Sequence, residues 1–212
     1  MVKKIIFFIC IVILSAGSFS FGQETKKQFI HKGLLRAQGT IAPGIMLKEN
    51  TSTISIHGNL EYYASDDVSV RGDSYYFLND DQKKFSANHS ILAGASYHLK
   101  TKSHFDPYIG FQPGIAIASR SDVTHVMSDM PLPDYYAIAP KPQLCPLISP
   151  VLGFNFYFQR VFHLFMEARY IAGKYLPDDG DPVYSLSELR FSFGLGFNLS
   201  VFKQKQALST SE

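Results

Sequence analysis

The feature that most limits the fold is the last long apolar run, residues 189–202, which reads LRFSFGLGFNLSVF. Every second residue is large and apolar: Leu189, Phe191, Phe193, Leu195, Phe197, Leu199 and Val201. Between them stand Arg190, Ser192, Gly194, Gly196, Asn198 and Ser200. Side chains on a strand alternate between faces, so this run builds one hydrocarbon face and one face of hydroxyls, glycines and a charge. A strand in a soluble sheet usually spans about 5–6 residues, whereas a tilted strand crossing a bilayer needs roughly 9–11. This run is long enough to cross. The same alternation recurs, more weakly, along the rest of the chain.

The first residues are expected to be removed. Lys3 and Lys4 form a positive start, and residues 5–14 an apolar core of signal-peptide length. A spanning helix would need about 20 apolar residues. The small residues Ser20 and Gly22 put cleavage after Gly22, so residues 1–22 read as a cleaved signal peptide. Cys10 leaves with it. Only Cys145 remains, which excludes an intramolecular disulfide framework and a multi-cysteine metal site. Loss of Lys3 and Lys4 takes the net charge of +2 to zero, so no nucleic-acid partner is expected. Roughly 190 mature residues suit one domain. No later apolar run is long and uniform enough for a transmembrane helix, so a membrane location would require strands.

Seven more strands precede the last one. Residues 35–47 set Leu35, Ala37, Ile41 and Ile45 against Arg36, Gln38 and Thr40, and residues 53–64 set Ile54, Ile56, Leu60 and Tyr62 against Ser55, His57, Asn59 and Glu61. Residues 68–78, 90–99 and 106–118 continue the pattern. Residues 151–158 and 164–175 complete the set, the latter opposing Met166 and Tyr170 to Glu167 and Arg169. Connections after strands two, four and six are short; those after three (79–88), five (120–146) and seven are longer, and the first is a short exception. Short turns at one rim and long loops at the other are the habit of outer-membrane barrels. Since a sheet edge cannot survive in hydrocarbon, the first and last strands are expected to close on each other. The expectation is an all-β, eight-stranded antiparallel up-and-down transmembrane β-barrel over residues 33–202. A periplasmic segment, 23–32, would precede it and a polar periplasmic tail, 203–212, follow it.

The polar face carries Arg36, Glu61, Arg71, Asp73, Glu167, Arg169, Glu188 and Arg190, four of each sign and expected at similar depths. A barrel of eight strands is only wide enough for side chains to fill it. Oppositely charged pairs there would offset each other's desolvation, with Gly110, Gly114, Gly153, Gly194 and Gly196 making room. A plugged interior follows, with an ion path along the charges as the competing reading.

The strand pattern, with the phrases NLEYYASDDVSVRGDSYY, DPYIGFQPGIAI and LRFSFGLGFNLSVF, resembles the small outer-membrane β-barrel proteins of the OmpA/OmpX-type superfamily of Gram-negative bacteria. The resemblance spans about residues 32–202. It implies the cell outer membrane as location, outer-membrane lipid and lipopolysaccharide as surroundings, and barrel-insertion machinery as a partner during biogenesis. Gly194, Phe197 and Leu199 are similar to the C-terminal signal which that machinery reads, although here residues 203–212 follow it. No peptidoglycan-binding domain is expected after the barrel. Some members modify lipid A with a His, a Ser and an acid; the nearest set here is Ser55, His57 and Glu61, which alternation turns inward, away from lipid. His89, His98, His104, His125 and His163 are placed near turns or loops without a second ligand at metal spacing. No catalytic residue, metal or cofactor is therefore expected. The loop 120–146, with Met127, Met130, Leu132, Tyr135 and Tyr136 stiffened by prolines at 131, 133, 140, 142 and 146, is the candidate for contact with an extracellular protein or surface. Cys145 would be a partly shielded thiol at its base. The function expected is that of a non-enzymatic integral outer-membrane protein serving envelope structure or surface interaction. The alternatives are a lipid A-modifying enzyme, a narrow pore, or a soluble lipocalin-type barrel with its apolar faces turned inward.

Overall fold

The computed structural model describes residues 29–99, 101, 104–121, 124–125, 137–138, 141–159, 161–175 and 184–200. The expected signal peptide, the tail 203–212, and Met127, Met130, Leu132, Tyr135 and Tyr136 lie outside the described residues. Eight long strands form the wall: β1 (Leu34–Met46), β2 (Thr51–Tyr63), β3 (Val68–Asp80), β4 (Phe85–His98), β5 (Phe105–Arg120), β6 (Gln143–Tyr157), β7 (Phe162–Tyr175) and β8 (Glu188–Ser200). Each pairs antiparallel with the next, and β8 pairs with β1, so the sheet closes. The register from Gln38 runs through Asn59, Asp73, Leu92, Gly114, Leu147 and Gly173. It meets Leu186 and returns beside Leu47, well above its start, a stagger that tilts the strands against the barrel axis.

The alternation read from the sequence sorts the two faces. Phe193 is 59% exposed and its neighbour Ser192 3%. Ile56, Val70, Ile109, Leu152 and Leu195 point outward like Phe193, while Arg36, Glu61, Arg71 and Arg169 are buried within. The apolar faces turn out and the charges turn in, the reverse of the lipocalin alternative. Water would penalise such a wall; a bilayer rewards it. Towards the end that holds the start of β1 and the end of β8 (the terminus end), the outer face is ringed by aromatics, among them Tyr97, Phe105, Phe156 and Phe197.

Several connections differ from expectation. The stretch 79–88 is a turn of only residues 81–84, because the Asp80 carboxylate accepts N–H bonds from Gln82, Lys84 and Phe85 and folds the chain back at once. A bulge near Ile54 and Ser55 adjusts the register so that Phe77 and Asp80 both face in. The connection after strand three is therefore short, and the rim asymmetry rests on the connections after β5 and β7. Strand β6 starts at Gln143 rather than 151, so Cys145 and Pro146 belong to the wall and Cys145 is fully buried. The preceding loop pairs Thr124 and His125 with Ile138 and Ala137.

Prolines mark three places where the ladder opens without a register change. Pairing of β1 with β8 stops after Gly39–Leu195 and resumes at Gly44–Arg190, spanning Pro43. Similar openings lie at Pro113 between β4 and β5 and at Pro150 between β6 and β7. Proline has no N–H to give. At the first opening Thr40 Oγ1 donates to the Phe193 carbonyl at 2.5 Å, supplying one bond the backbone lacks.

Candidate functional site

The lumen is the place where this chain concentrates chemistry, and its charged residues form three tiers rather than one depth. Nearest the terminus end, Arg36 on β1 pairs with Glu61, its register partner on β2. Arg36 also donates to the Tyr157 hydroxyl at 2.8 Å and lies 3.4 Å from Asp106. Asp106 further accepts from Asn155 at 2.9 Å and from Tyr157 at 3.2 Å. His98 sits between the two carboxylates, Nδ1 2.8 Å from Asp106 and Nε2 3.1 Å from Glu61.

In the middle tier, Arg71 grips both oxygens of Asp73, at 2.7 and 3.0 Å, and reaches Glu167 at 2.7 Å. Arg169 reaches Glu167 at 3.0 Å and Asp73 at 3.1 Å, and donates to Gln112 Oε1. Tyr108 donates to Glu167 at 2.9 Å and Gln112 to Asp73 at 2.6 Å. Above it, Arg190 pairs with Glu188 at 2.8 Å, donating also to Ser90, while Thr53 donates to Glu188. Arg190 and Arg169 are register partners, yet each turns to its own carboxylate, and the Tyr75 ring lies 4.6 and 5.4 Å from their guanidinium carbons. Removing any one partner would strand a buried charge, which costs several kcal/mol.

Glycines open the space that these side chains use. A Cβ at Gly153 would run into the Tyr108 ring, and one at Gly196 into His163. Nearer the loop end the filling changes character. Met46, Phe77, Phe85, Leu92, Cys145, Leu147, Ile171, Tyr175 and Leu186 form a buried apolar cluster. Arg120 lies over it, 3.6 Å from the Tyr184 ring centre and 5.6 Å from that of Phe85.

Beside the eight charges expected from the sequence, the lumen holds Asp106, His98 and His163, all buried and all at strand ends. Their signal was present: Asp106 and His98 share the inward alternation of Tyr108 and Ser96. His57 is a buried, hydrogen-bonded histidine, 2.8 Å from Asp73. Ser55, His57 and Glu61 are not brought together, since His57 turns to Asp73 and Glu61 to Arg36. Another trio has relay-like spacing, with Ser69 Oγ 3.1 Å from His98 Nε2 and Asp106 on the other nitrogen. Ser69 gives its proton to Glu61 instead, and none of the three reaches the surface, so a substrate has no approach. His57, Asp73 and Glu167 place ligand atoms within 4.8 Å of one another. Arg71 and Arg169 already hold those carboxylates and supply the positive charge a metal would bring.

No protein-family model matches the sequence, and no curated protein matches it. Solved structures do match. The chain is similar to the outer membrane protein OprG from Pseudomonas aeruginosa, with a TM-score of 0.56 and 15% identity over 81% of this chain and 98% of that one. It is also similar to Neisserial surface protein A, with a TM-score of 0.55 and 18% identity over 79% and 96%. The N-terminal β-barrel domain of Pseudomonas aeruginosa OprF gives 0.52 and 15% over 79% and 98%. These neighbours share the closed wall of eight antiparallel strands, and the lipid-suited exterior described above fits it independently. The chain has the fold of these eight-stranded outer-membrane β-barrels.

Proposed function

We propose that the protein is a non-enzymatic outer-membrane barrel with a sealed lumen, serving envelope structure and presenting its loop end to the surroundings. The observation that carries this reading is the filling of the lumen. Two ion-paired tiers occupy the part nearer the terminus end, and the Arg190–Glu188 pair with an apolar cluster under Arg120 and Tyr184 closes the other. An ion entering would have to break a buried pair before it gained anything. The loop after β5, with the residues named from the sequence, is the segment we assign to contact with an extracellular protein or surface. Lipid and lipopolysaccharide surround the wall.

Purified protein in planar bilayers tests the lumen: wild type is expected to give no steady conductance, and a stable ohmic step overturns the sealed reading. Incubation with lipid A followed by mass spectrometry tests the absence of catalysis. Any change in acyl chains would refute it.

A further inference from the structure

The terminus-end tier does not balance by itself. Arg36 faces two carboxylates, Glu61 and Asp106, whereas the middle tier sets two arginines against two carboxylates and the upper tier one against one. A singly protonated His98 leaves one negative charge in excess in a buried site. Its hydrogen bonds say the same. A neutral imidazole can donate from one nitrogen only, yet both nitrogens of His98 face carboxylate oxygens. His57 and His163 differ, since each has Nδ1 without a partner. We infer that His98 is a doubly protonated clamp that ties β2, β4 and β5 together and latches the terminus-end mouth. This rests on the sealed lumen proposed above.

The latch has something to hold. Before β1 the chain turns at Gly33, whose φ of 86° suits glycine, with Leu34 N bonded to the His31 carbonyl and Lys32 N to Asp66. This carries Phe29 onto the mouth, where its ring stacks on Tyr157 at 5.3 Å and 9° and lies 4.9 Å from His104. Tyr157 donates to Asp106, and Asp106 is one of the two carboxylates on His98. The remaining groups facing His98 are Tyr63 from β2, Ser69 from β3 and Tyr108 from β5, with Arg36 of β1 across the same carboxylates. None of these can replace the lost charge. When His98 gives up its second proton, one carboxylate loses its imidazolium N–H, Asp106 and Tyr157 shift, and Phe29 loses its seat. The clamp is therefore present in acid and neutral medium and released as pH rises.

Side-chain ¹⁵N shifts of wild-type barrel in micelles test the charge directly. At about pH 7 both His98 nitrogens should fall in the imidazolium range; a neutral-tautomer pattern overturns the clamp. The chain has no tryptophan, so Phe29→Trp gives a single, selectively excited tryptophan at the mouth. Acrylamide quenching of Trp at that position should rise severalfold from about pH 6 to about pH 9. Added Asp106→Asn should flatten the rise, and added His98→Gln should give high quenching throughout. Quenching that ignores pH in the single variant overturns the latch. Steady conductance of wild type at every pH would instead strike the sealed-lumen reading, because the nitrogen shifts do not depend on it.

Discussion

The two ends of the lumen fill the same cross-section by different means. Towards the terminus end, Arg36, Arg71, Arg169 and their carboxylates are linked so that most groups serve two partners at once. Towards the loop end, Phe77, Phe85, Leu147 and Ile171 pack as an ordinary apolar core, with the single Arg190–Glu188 pair beside it. The linked tiers are specific but brittle, since each member is the remedy for another's desolvation. The apolar end is non-directional, and a loss there costs area and cavity only. A barrel wall turned towards lipid therefore leaves the interior free to be either kind of core, provided that it is full.

That contrast can be broken by substitution, with stability read as urea unfolding in micelles. Arg71→Leu, which leaves Asp73 and Glu167 to share Arg169 alone, should destabilise most, by about 3–5 kcal/mol. Leu147→Ala at the loop end should cost about 2–4 kcal/mol and scale with the cavity left. Gly153→Ala, which drives a methyl into Tyr108, should cost about 1–3 kcal/mol. Thr40→Val, which removes the bond to the Phe193 carbonyl, should cost about 1 kcal/mol. The sharpest comparison is the paired replacement of Glu188 and Arg190 by Leu and Met. Beside the apolar cluster it should be close to neutral, within about 1 kcal/mol. A large loss would show that the upper tier is coupled to the others, and the two-ended description would fail.

Much of this was legible beforehand because a strand's period is two and its faces are fixed by it. Ile109 out and Gln112 in, or Leu152 out and Asn155 in, needed no structure. The spacing of Arg71 to Asp73, Glu167 to Arg169 and Glu188 to Arg190, two residues apart on one face, also foreshadowed pairs. The apolar plug was harder to see, because there both faces are greasy: Ile45, Met46 and Leu47 run together, as do Tyr76, Phe77 and Leu78, and alternation loses its contrast. The polar run after β3 reads as a loop because composition does not reveal that Asp80 closes the turn in four residues. His98 and Asp106 stand at strand ends, where a polar residue reads equally well as turn.

The sequence by itself determined that the chain would build a closed wall with hydrocarbon outside and polar groups within, because alternation and strand length are local properties. Which carboxylate meets which guanidinium was decided only by the tertiary structure. Register and stagger around the barrel set residues from β3 and β7, such as Arg71 and Glu167, side by side across the lumen. That closure also put His98 between Glu61 and Asp106, a charge relation among three strands that no stretch of chain contains alone.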